Sequence, residues 1–284
     1  MIRGAPRHCK GRAPAGTTLF TFSCAAASGA WRVALGVCFF ELPSSTHLRP
    51  LRPQVFVTFE GIDGSGKTTQ VRRLAERLRA EGRDPLVARE PGGAALSERV
   101  RALLLDETLE VAPMAELLLF SAARAQLVEE KIRPALAAGR PVLCDRFYDS
   151  TTAYQGAGRA LAAEGDASPA AGGGDDEGGE SWLGRFHRRV TGGLVPARTF
   201  LLRLDPEEAL RRREDAQQQS STAPDRMEAG PARFHQRVAD AYDALAARHP
   251  ERFCVLDATE PPEALHAAIW EKVASLPRAA DGGR

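Results

Sequence analysis

The residues whose types and spacing are best suited to chemistry form the segment GIDGSGKT, from Gly61 to Thr68. It fits the pattern G-x-x-x-x-G-K-[ST], in which glycines let successive backbone N–H groups point at phosphate oxygens. Lys67 can then reach the β- and γ-phosphates, and the Thr68 hydroxyl can bind Mg²⁺. The segment therefore predicts a nucleoside triphosphate site formed by Gly61, Ile62, Asp63, Gly64, Ser65, Gly66, Lys67, Thr68 and Thr69.

Three later segments carry further candidates for binding and catalysis. Residues 89–93, REPGG, form a charged turn directly after a predicted strand. Phe120 and Arg124 share a helix face, and an aromatic ring beside a guanidinium suits a planar base, although such a pair can also be a core aromatic beside a surface arginine. Asp145 and Arg146 follow a buried strand, where an acid can order Mg²⁺ and an arginine can bind a phosphate bidentately.

Two polar stretches complete the candidate set. Residues 149–159, DSTTAYQGAGR, are dense in hydrogen-bonding groups, which is typical of a helix start that lines a polar pocket; Asp149 or Ser150 could equally serve as a helix N-cap. Consecutive arginines at 211–213 and a further one at Arg226 could be a solvated face or a lid that closes on the triphosphate.

The elements that must position these residues alternate between strand and helix. This pattern predicts an α/β protein with the P-loop NTPase fold: a five-stranded parallel sheet with helices on both faces and a short lid. Because the carboxyl ends of parallel strands meet at one edge, the segments after the strands should converge there. We predict strands at 55–59, 85–89, 141–144, 198–204 and 252–256, and helices at 67–82, 97–106, 114–132, 207–213, 231–248 and 262–274.

Composition divides the chain into regions. Glu41 is the only acid in the basic N-terminal segment, which we predict to be a disordered extension; an organellar transit peptide, a poor secretory signal or mistranslated upstream sequence are the alternatives. The net charge of +1 gives no general argument for nucleic-acid binding, and five scattered cysteines suit a reducing compartment. The predicted regions are an extension at 1–52, a P-loop domain at 53–278 with a flexible insertion at 160–180 and a lid at 213–229, and a disordered tail at 279–284.

Six segments occur in an order that identifies a family: FEGIDGSGKTTQ, REPGG, FSAARAQLVE, DRFYDSTTAYQGAGR, LRLD and DRME. From Gln54 to the C-terminus the sequence resembles bacterial thymidylate kinase. The resemblance implies transfer of the ATP γ-phosphate to dTMP in dTTP biosynthesis, with Mg²⁺ as cofactor. It also implies a cytoplasmic homodimer that binds ATP and dTMP, with no nucleic-acid partner and no membrane association.

The resemblance also implies roles in the acceptor site. Phe120 would stack on thymine, Arg124 would bond its carbonyl oxygen, and Gln155 would reach the pyrimidine. Tyr154 would lie under the sugar and disfavour a 2′-hydroxyl. The full set implied for dTMP binding is Glu90, Pro91, Arg101, Phe120, Arg124, Arg146, Ser150, Thr151, Tyr154 and Gln155.

On the donor side, family members whose phosphate loop lacks a basic residue carry the catalytic arginine in the lid. Gly64 and Ser65 place this sequence in that class, so the implied catalytic residues are Lys67, Asp63, Arg146, Arg213 and Arg226. The implied metal site consists of Thr68, Asp63, Asp145 and Glu228. The sequence departs from the family in having Ala94 where threonine is usual, a longer lid and the 160–180 insertion.

Two other functions stay open at this point. A nucleoside kinase would need a base to activate a hydroxyl, and Glu90 could supply it. A non-catalytic NTP-binding switch is the alternative outside enzymes. However, the sequence has no N/T-K-x-D guanine motif, and Asp145-Arg146 stands where an ATP-driven motor would have Asp-Glu.

Overall fold

A parallel sheet forms the centre of the computed structural model, which describes residues 55–161, 181–220 and 230–276. Its strands lie in the order β2-β3-β1-β4-β5, so the chain winds outward from β1 in both directions. The predicted five-stranded parallel sheet is thereby confirmed. The strands are β1 (Phe56–Glu60), β2 (Leu86–Arg89), β3 (Val142–Asp145), β4 (Arg198–Arg203) and β5 (Phe253–Asp257).

Helices cover both faces of the sheet because the central strand is apolar on both sides. Val57 and Phe59 belong to one buried cluster, whereas Phe56 belongs to the other. Successive strand residues point to opposite faces of the sheet, so each face needs a layer of helices to cover its apolar side chains. The helices are α1 (Lys67–Ala80), α2 (Ala95–Leu105), α3 (Pro113–Leu127), α4 (Arg133–Ala137), α5 (Tyr148–Thr151), α6 (Trp182–Thr191), α7 (Pro206–Ser220), α8 (Ala232–Arg248) and α9 (Pro262–Ala274), with π-helical segments at Val128–Ile132 and Thr152–Gly158.

Two predicted helices differ from the observed ones by more than two residues at one end. The helix predicted over 114–132 is α-helical only to Leu127, after which the hydrogen bonding widens to a π-helical segment. The helix predicted to end at 213 continues to Ser220, because residues 214–219, EDAQQQ, are mostly good helix formers. The lid predicted at 213–229 therefore begins within α7.

Several predictions fall outside the described residues. These are the extension at 1–52, most of the insertion at 160–180, the tail at 279–284, and both Arg226 and Glu228. Within the described ranges, no helix combines the length and apolar character needed to cross a membrane.

Candidate active site

The glycine-rich segment forms a tight loop between β1 and α1. Gly61, Gly64 and Gly66 have φ angles of 135°, 87° and 89°, which side chains rarely allow. A Cβ atom on Gly61 would lie 2.5 Å from the carbonyl oxygen of Leu202. Glycine is thus required at position 61 both for its backbone angle and for space. The loop leads directly to the N-terminus of α1, which is a favourable position for an anion.

Lys67 is held inside this loop. Its side chain is 6% exposed, and its Nζ donates to the Ile62 carbonyl oxygen at 2.8 Å and to the Ser65 hydroxyl at 3.4 Å. Burial lowers the pKa of Lys67 to about 8, the charge of Arg146 lowers it as well, and the nearby Asp63 carboxylate opposes both. A bound phosphate would favour the charged ammonium and raise that pKa again.

Thr68 and Asp145 bring two hard oxygen donors to the same place. The Thr68 hydroxyl donates to Asp145 Oδ2 at 2.6 Å, and Asp145 pairs in register with Phe59 at the end of the central strand. No cluster of three or more potential metal-ligating acids, histidines or cysteines occurs among the described residues. The donor set fits Mg²⁺, which typically takes one or two protein oxygens and completes its shell with phosphates and water.

Arg146 occupies a strained position at the end of β3. Its φ angle is 72°, which is unusual for a residue other than glycine and is found most often at functional sites. Its guanidinium pairs with Asp63 and donates to the Gly61 carbonyl oxygen at 3.0 Å and to the Tyr154 hydroxyl at 3.2 Å. Burial raises the pKa of Asp63, but the charges of Arg146 and Lys67 outweigh it and hold that pKa well below its usual range.

Arg124 and Glu90 form a buried ion pair. Their side chains are 1% and 4% exposed, and Arg124 Nε donates to Glu90 Oε2 at 2.7 Å. Arg124 Nη2 donates to the Thr151 hydroxyl at 2.9 Å, whereas Nη1 has no partner among the described residues. Burial raises the pKa of Glu90, although the charge of Arg124 opposes this rise. Glu90 is therefore committed to Arg124 and is poorly placed to act as a general base.

These groups line one open cleft beside the phosphate loop. The cleft is open to solvent on one side and combines apolar with polar and charged side chains, as small-molecule sites do. Every residue that the resemblance assigns to the acceptor contributes to its wall. The lining residues are Asp63, Glu90, Pro91, Arg101, Leu105, Phe120, Arg124, Arg146, Ser150, Thr151, Tyr154 and Gln155.

Comparison with known proteins decides the family. The thymidylate kinase family model matches residues 59–171 and 173–269. The chain belongs to the thymidylate kinase family. Thymidylate kinase of Deinococcus radiodurans is 47% identical over 219 residues, covering 77% of this chain and 96% of the relative. That of Chlorobium chlorochromatii is 46% identical over 229 residues, covering 77% and 94%.

A solved structure agrees with this assignment. The crystal structure of thymidylate kinase from Ehrlichia chaffeensis matches with a TM-score of 0.56 and 28% identity, and covers 78% of this chain and 100% of that one. The predicted family, fold and enzyme class, a dTMP kinase, are thus confirmed.

One buried network in this chain was missed by sequence reasoning. Glu60 Oε2 accepts from the Ser150 hydroxyl at 2.6 Å and from the Tyr242 hydroxyl at 2.9 Å, and Oε1 accepts from the Phe147 amide at 2.7 Å. Burial, reinforced by the charge of Asp149, raises the pKa of Glu60 to about 7. The position of Glu60, an acid at a strand end directly before the glycine loop, was a usable signal; Tyr242 offered none.

Glu116 and Leu105 were missed as well. Leu105 lines the cleft at the end of α2, and Glu116, in the first turn of α3, accepts a hydrogen bond from the lining residue Gln155. Neither stands in a motif, and an isolated acid near a helix start ordinarily indicates only a favourable interaction with the helix dipole.

The arginines of α7 differ in their surroundings. Arg211 and Arg212 both pair with Glu208, and Arg212 also donates to the Ala258 carbonyl oxygen at 3.0 Å. By contrast, a Cβ atom built on Gly64 would lie 3.4 Å from Arg213 Cγ, so Arg213 packs beside the phosphate loop. Of the two predicted lid arginines, Arg213 is adjacent to the loop, and Arg226 lies outside the described residues.

Proposed function

We propose that this protein transfers the γ-phosphate of ATP directly and in line to dTMP, giving ADP and dTDP, with Mg²⁺ bound to the ATP phosphates. The observation that carries the proposal is the continuity of two sites. The acceptor cleft shares Asp63 with the phosphate loop, and Arg146 joins them by donating to the Gly61 carbonyl oxygen. A phosphate in the cleft would therefore face one held by the loop.

The acceptor needs little activation. A phosphate monoester has a second pKa of ~6, so the attacking oxygen is already ionised near neutral pH. We assign no general base, in keeping with the commitment of Glu90 to Arg124. Arg146 and Arg101 are assigned to the dTMP phosphate, because both are cationic and both line the cleft. Catalysis then consists of alignment and charge neutralisation.

The base is assigned to the other end of the cleft. Phe120 stacks on the thymine ring, and the Arg124 Nη1 donor that has no described partner meets a thymine carbonyl oxygen. Tyr154, whose hydroxyl donates to Asp63 Oδ2 at 3.0 Å, lies beneath the sugar. Glu90, Pro91, Ser150 and Thr151 complete the wall of the cleft.

On the donor side, loop N–H groups, Lys67 and a lid arginine surround the triphosphate. Arg213 is our candidate for the lid arginine because it packs beside Gly64. Thr68 and Asp145 would hold Mg²⁺, and Asp63 lies beside Lys67. The ion supplies neutralisation of charge on the β- and γ-phosphates. The chain itself orients the phosphates.

We also propose a homodimer in the cytoplasm. Apolar side chains on α2 and α3 remain exposed in the single chain, namely Leu96, Leu103, Met114 and Leu118, and apolar surface on neighbouring helices is typical of an interface. Cys144 and Cys254 are free thiols, in keeping with a reducing compartment. Sedimentation analysis should give twice the mass of one chain, and the substitution Leu103→Glu should give the mass of a single chain.

The reaction is tested by an ADP-release assay with ATP, Mg²⁺ and a panel of acceptors: dTMP, dUMP, dCMP, dGMP, AMP and thymidine. We expect the largest kcat/KM with dTMP. Turnover with thymidine but not with dTMP would make the protein a nucleoside kinase. ATP binding without turnover of any acceptor would favour a nucleotide-dependent switch.

A further inference from the structure

A buried acid stands behind the base end of the cleft and contacts one of its lining residues. Glu116 is 0% exposed, and its Oε1 accepts a hydrogen bond of 2.7 Å from Gln155 Nε2. The same carboxylate accepts from Arg159 Nε at 3.3 Å and from Arg159 Nη2 at 3.2 Å. Glu116 does not itself line the cleft, whereas Gln155 does.

This contact determines which way the Gln155 amide points. An ionised carboxylate has only acceptor atoms, and the Glu116 carboxylate forms an ion pair with the Arg159 guanidinium at 3.2 Å. Gln155 must therefore present its NH₂ group to Glu116, because the reverse orientation would set two acceptors against each other. No described residue donates to Gln155 Oε1, so its carbonyl oxygen is left to the cleft.

Arg124 supplies a hydrogen-bond donor to the same cleft. Its Nη1 is a buried donor with no partner among the described residues, and the side chain lines the same cleft. The base end of the cleft thus offers one fixed acceptor and one fixed donor. Thymine presents a matching pair on adjacent atoms, an N3–H donor and an O4 acceptor. Cytosine presents the reverse, an N3 acceptor and a 4-amino donor.

We propose that Glu116 is a positioning residue that makes the acceptor site selective for the thymine imide over cytosine by fixing the orientation of the Gln155 amide. The proposal rests on the dTMP site assigned above. Cytosine would then meet two mismatches, since N3 would oppose Gln155 Oε1 and the amino group would oppose the Arg124 guanidinium. If the Gln155 amide could turn over, its NH₂ group would face N3 of cytosine, and the first mismatch would disappear.

The substitution Glu116→Gln provides that freedom with almost no change in shape. A glutamine at 116 can accept from or donate to Gln155, so either amide orientation can be satisfied. Arg159 is 27% exposed and can find water once the charge is gone. An unsatisfied buried polar group costs on the order of 1–3 kcal/mol, so we expect the ratio of kcat/KM for dTMP to that for dCMP to fall ~10–100-fold.

The experiment uses the full-length chain with ATP, Mg²⁺ and either nucleotide; if dCMP turnover is too slow to measure, its inhibition constant against dTMP replaces it. The KM for ATP should stay at its wild-type value. Glu110→Gln, a change of the same chemistry at an exposed position before α3, should leave the ratio unchanged. An equal effect of Glu116→Gln on both nucleotides, or no effect, would overturn the proposal.

A second background tests whether Glu116 acts through Gln155. In Gln155→Ala, adding Glu116→Gln should not change the dTMP to dCMP ratio further, because the amide that Glu116 orients is gone. A full additional change in that background would refute the positioning role. A wild-type chain that does not phosphorylate dTMP would refute the proposed function itself. A wild-type chain that uses dTMP but keeps its selectivity in Glu116→Gln would refute only this inference.

Discussion

Replacing Arg124 by methionine should leave the Glu90 carboxylate buried without its cation. The two side chains are 1% and 4% exposed, so water cannot replace the lost Nε to Oε2 hydrogen bond of 2.7 Å. Removing one partner of such a pair costs about 3–5 kcal/mol of unfolding free energy. The loss should also depend on pH, because the neutral form of Glu90 tolerates burial much better than the ionised form.

The sign of that dependence follows from the direction of the pKa shift. Burial already raises the pKa of Glu90 in the wild type, and removal of Arg124, which opposes this rise, should raise it further. The folded variant then keeps a proton that the unfolded chain releases above its ordinary pKa of 4.5. The stability of Arg124→Met should therefore be nearest to wild type below that pKa and should fall as pH rises above it.

Urea denaturation near pH 5 and near pH 8, followed by tryptophan fluorescence, measures these effects. Adding Glu90→Gln to Arg124→Met removes the buried charge, so the double variant should be more stable than the single one near pH 8 and should lack the additional pH-dependent loss that the single variant shows relative to wild type. Arg72→Met, which breaks an exposed pair with Glu76, should leave the stability almost unchanged. A loss below ~1 kcal/mol in Arg124→Met, or no recovery in the double variant, would refute the reasoning.

Further predictions concern the cleft, the loop and the buried acid. Phe120→Ala should raise the KM for dTMP ~10–100-fold through lost stacking, whereas Phe186→Ala, outside the cleft, should not; equal KM values in both variants would contradict this. ATP affinity should fall as pH rises through about 8, the lowered pKa of Lys67, because a bound phosphate favours the charged ammonium. Lys67→Ala should bind ATP weakly at every pH and show no such step. A wild-type ATP affinity that does not change with pH would contradict this role of Lys67. Since burial raises the pKa of Glu60 from 4.5 to about 7, the unfolding free energy should fall by up to about 3 kcal/mol as pH rises through that interval. Glu60→Gln should lack this slope. A slope that is the same in Glu60→Gln and wild type would contradict the raised pKa of Glu60.

Most of the fold could be predicted from local patterns in the sequence. The phosphate loop is contiguous in sequence, so residue type and spacing specify it without long-range information. The strands were predicted because apolar runs alternate with helical periodicity, and α9 was predicted with its observed bounds, Pro262–Ala274. The predicted end of α7 was wrong because a polar run was interpreted as a loop, although its residues favour a helix.

Long-range contacts account for what sequence reasoning missed. Tyr242 meets Glu60 across 182 positions, and nothing near Tyr242 in the sequence indicates that contact. The contact between Glu116 and Gln155 joins helices 39 positions apart and depends on how they pack. The cleft residues themselves were anticipated through resemblance to a family, since periodicity alone left Phe120 and Arg124 open to a purely structural interpretation.

The most direct test of the assigned site is a crystal structure of the chain with dTMP and a non-hydrolysable ATP analogue. We predict thymine against the Phe120 ring, its O4 within hydrogen-bonding distance of Arg124 Nη1, and the dTMP phosphate on Arg146 facing the triphosphate in the loop of Gly61 to Thr68. Thymidylate bound elsewhere, or with its phosphate directed away from that loop, would contradict the assignment.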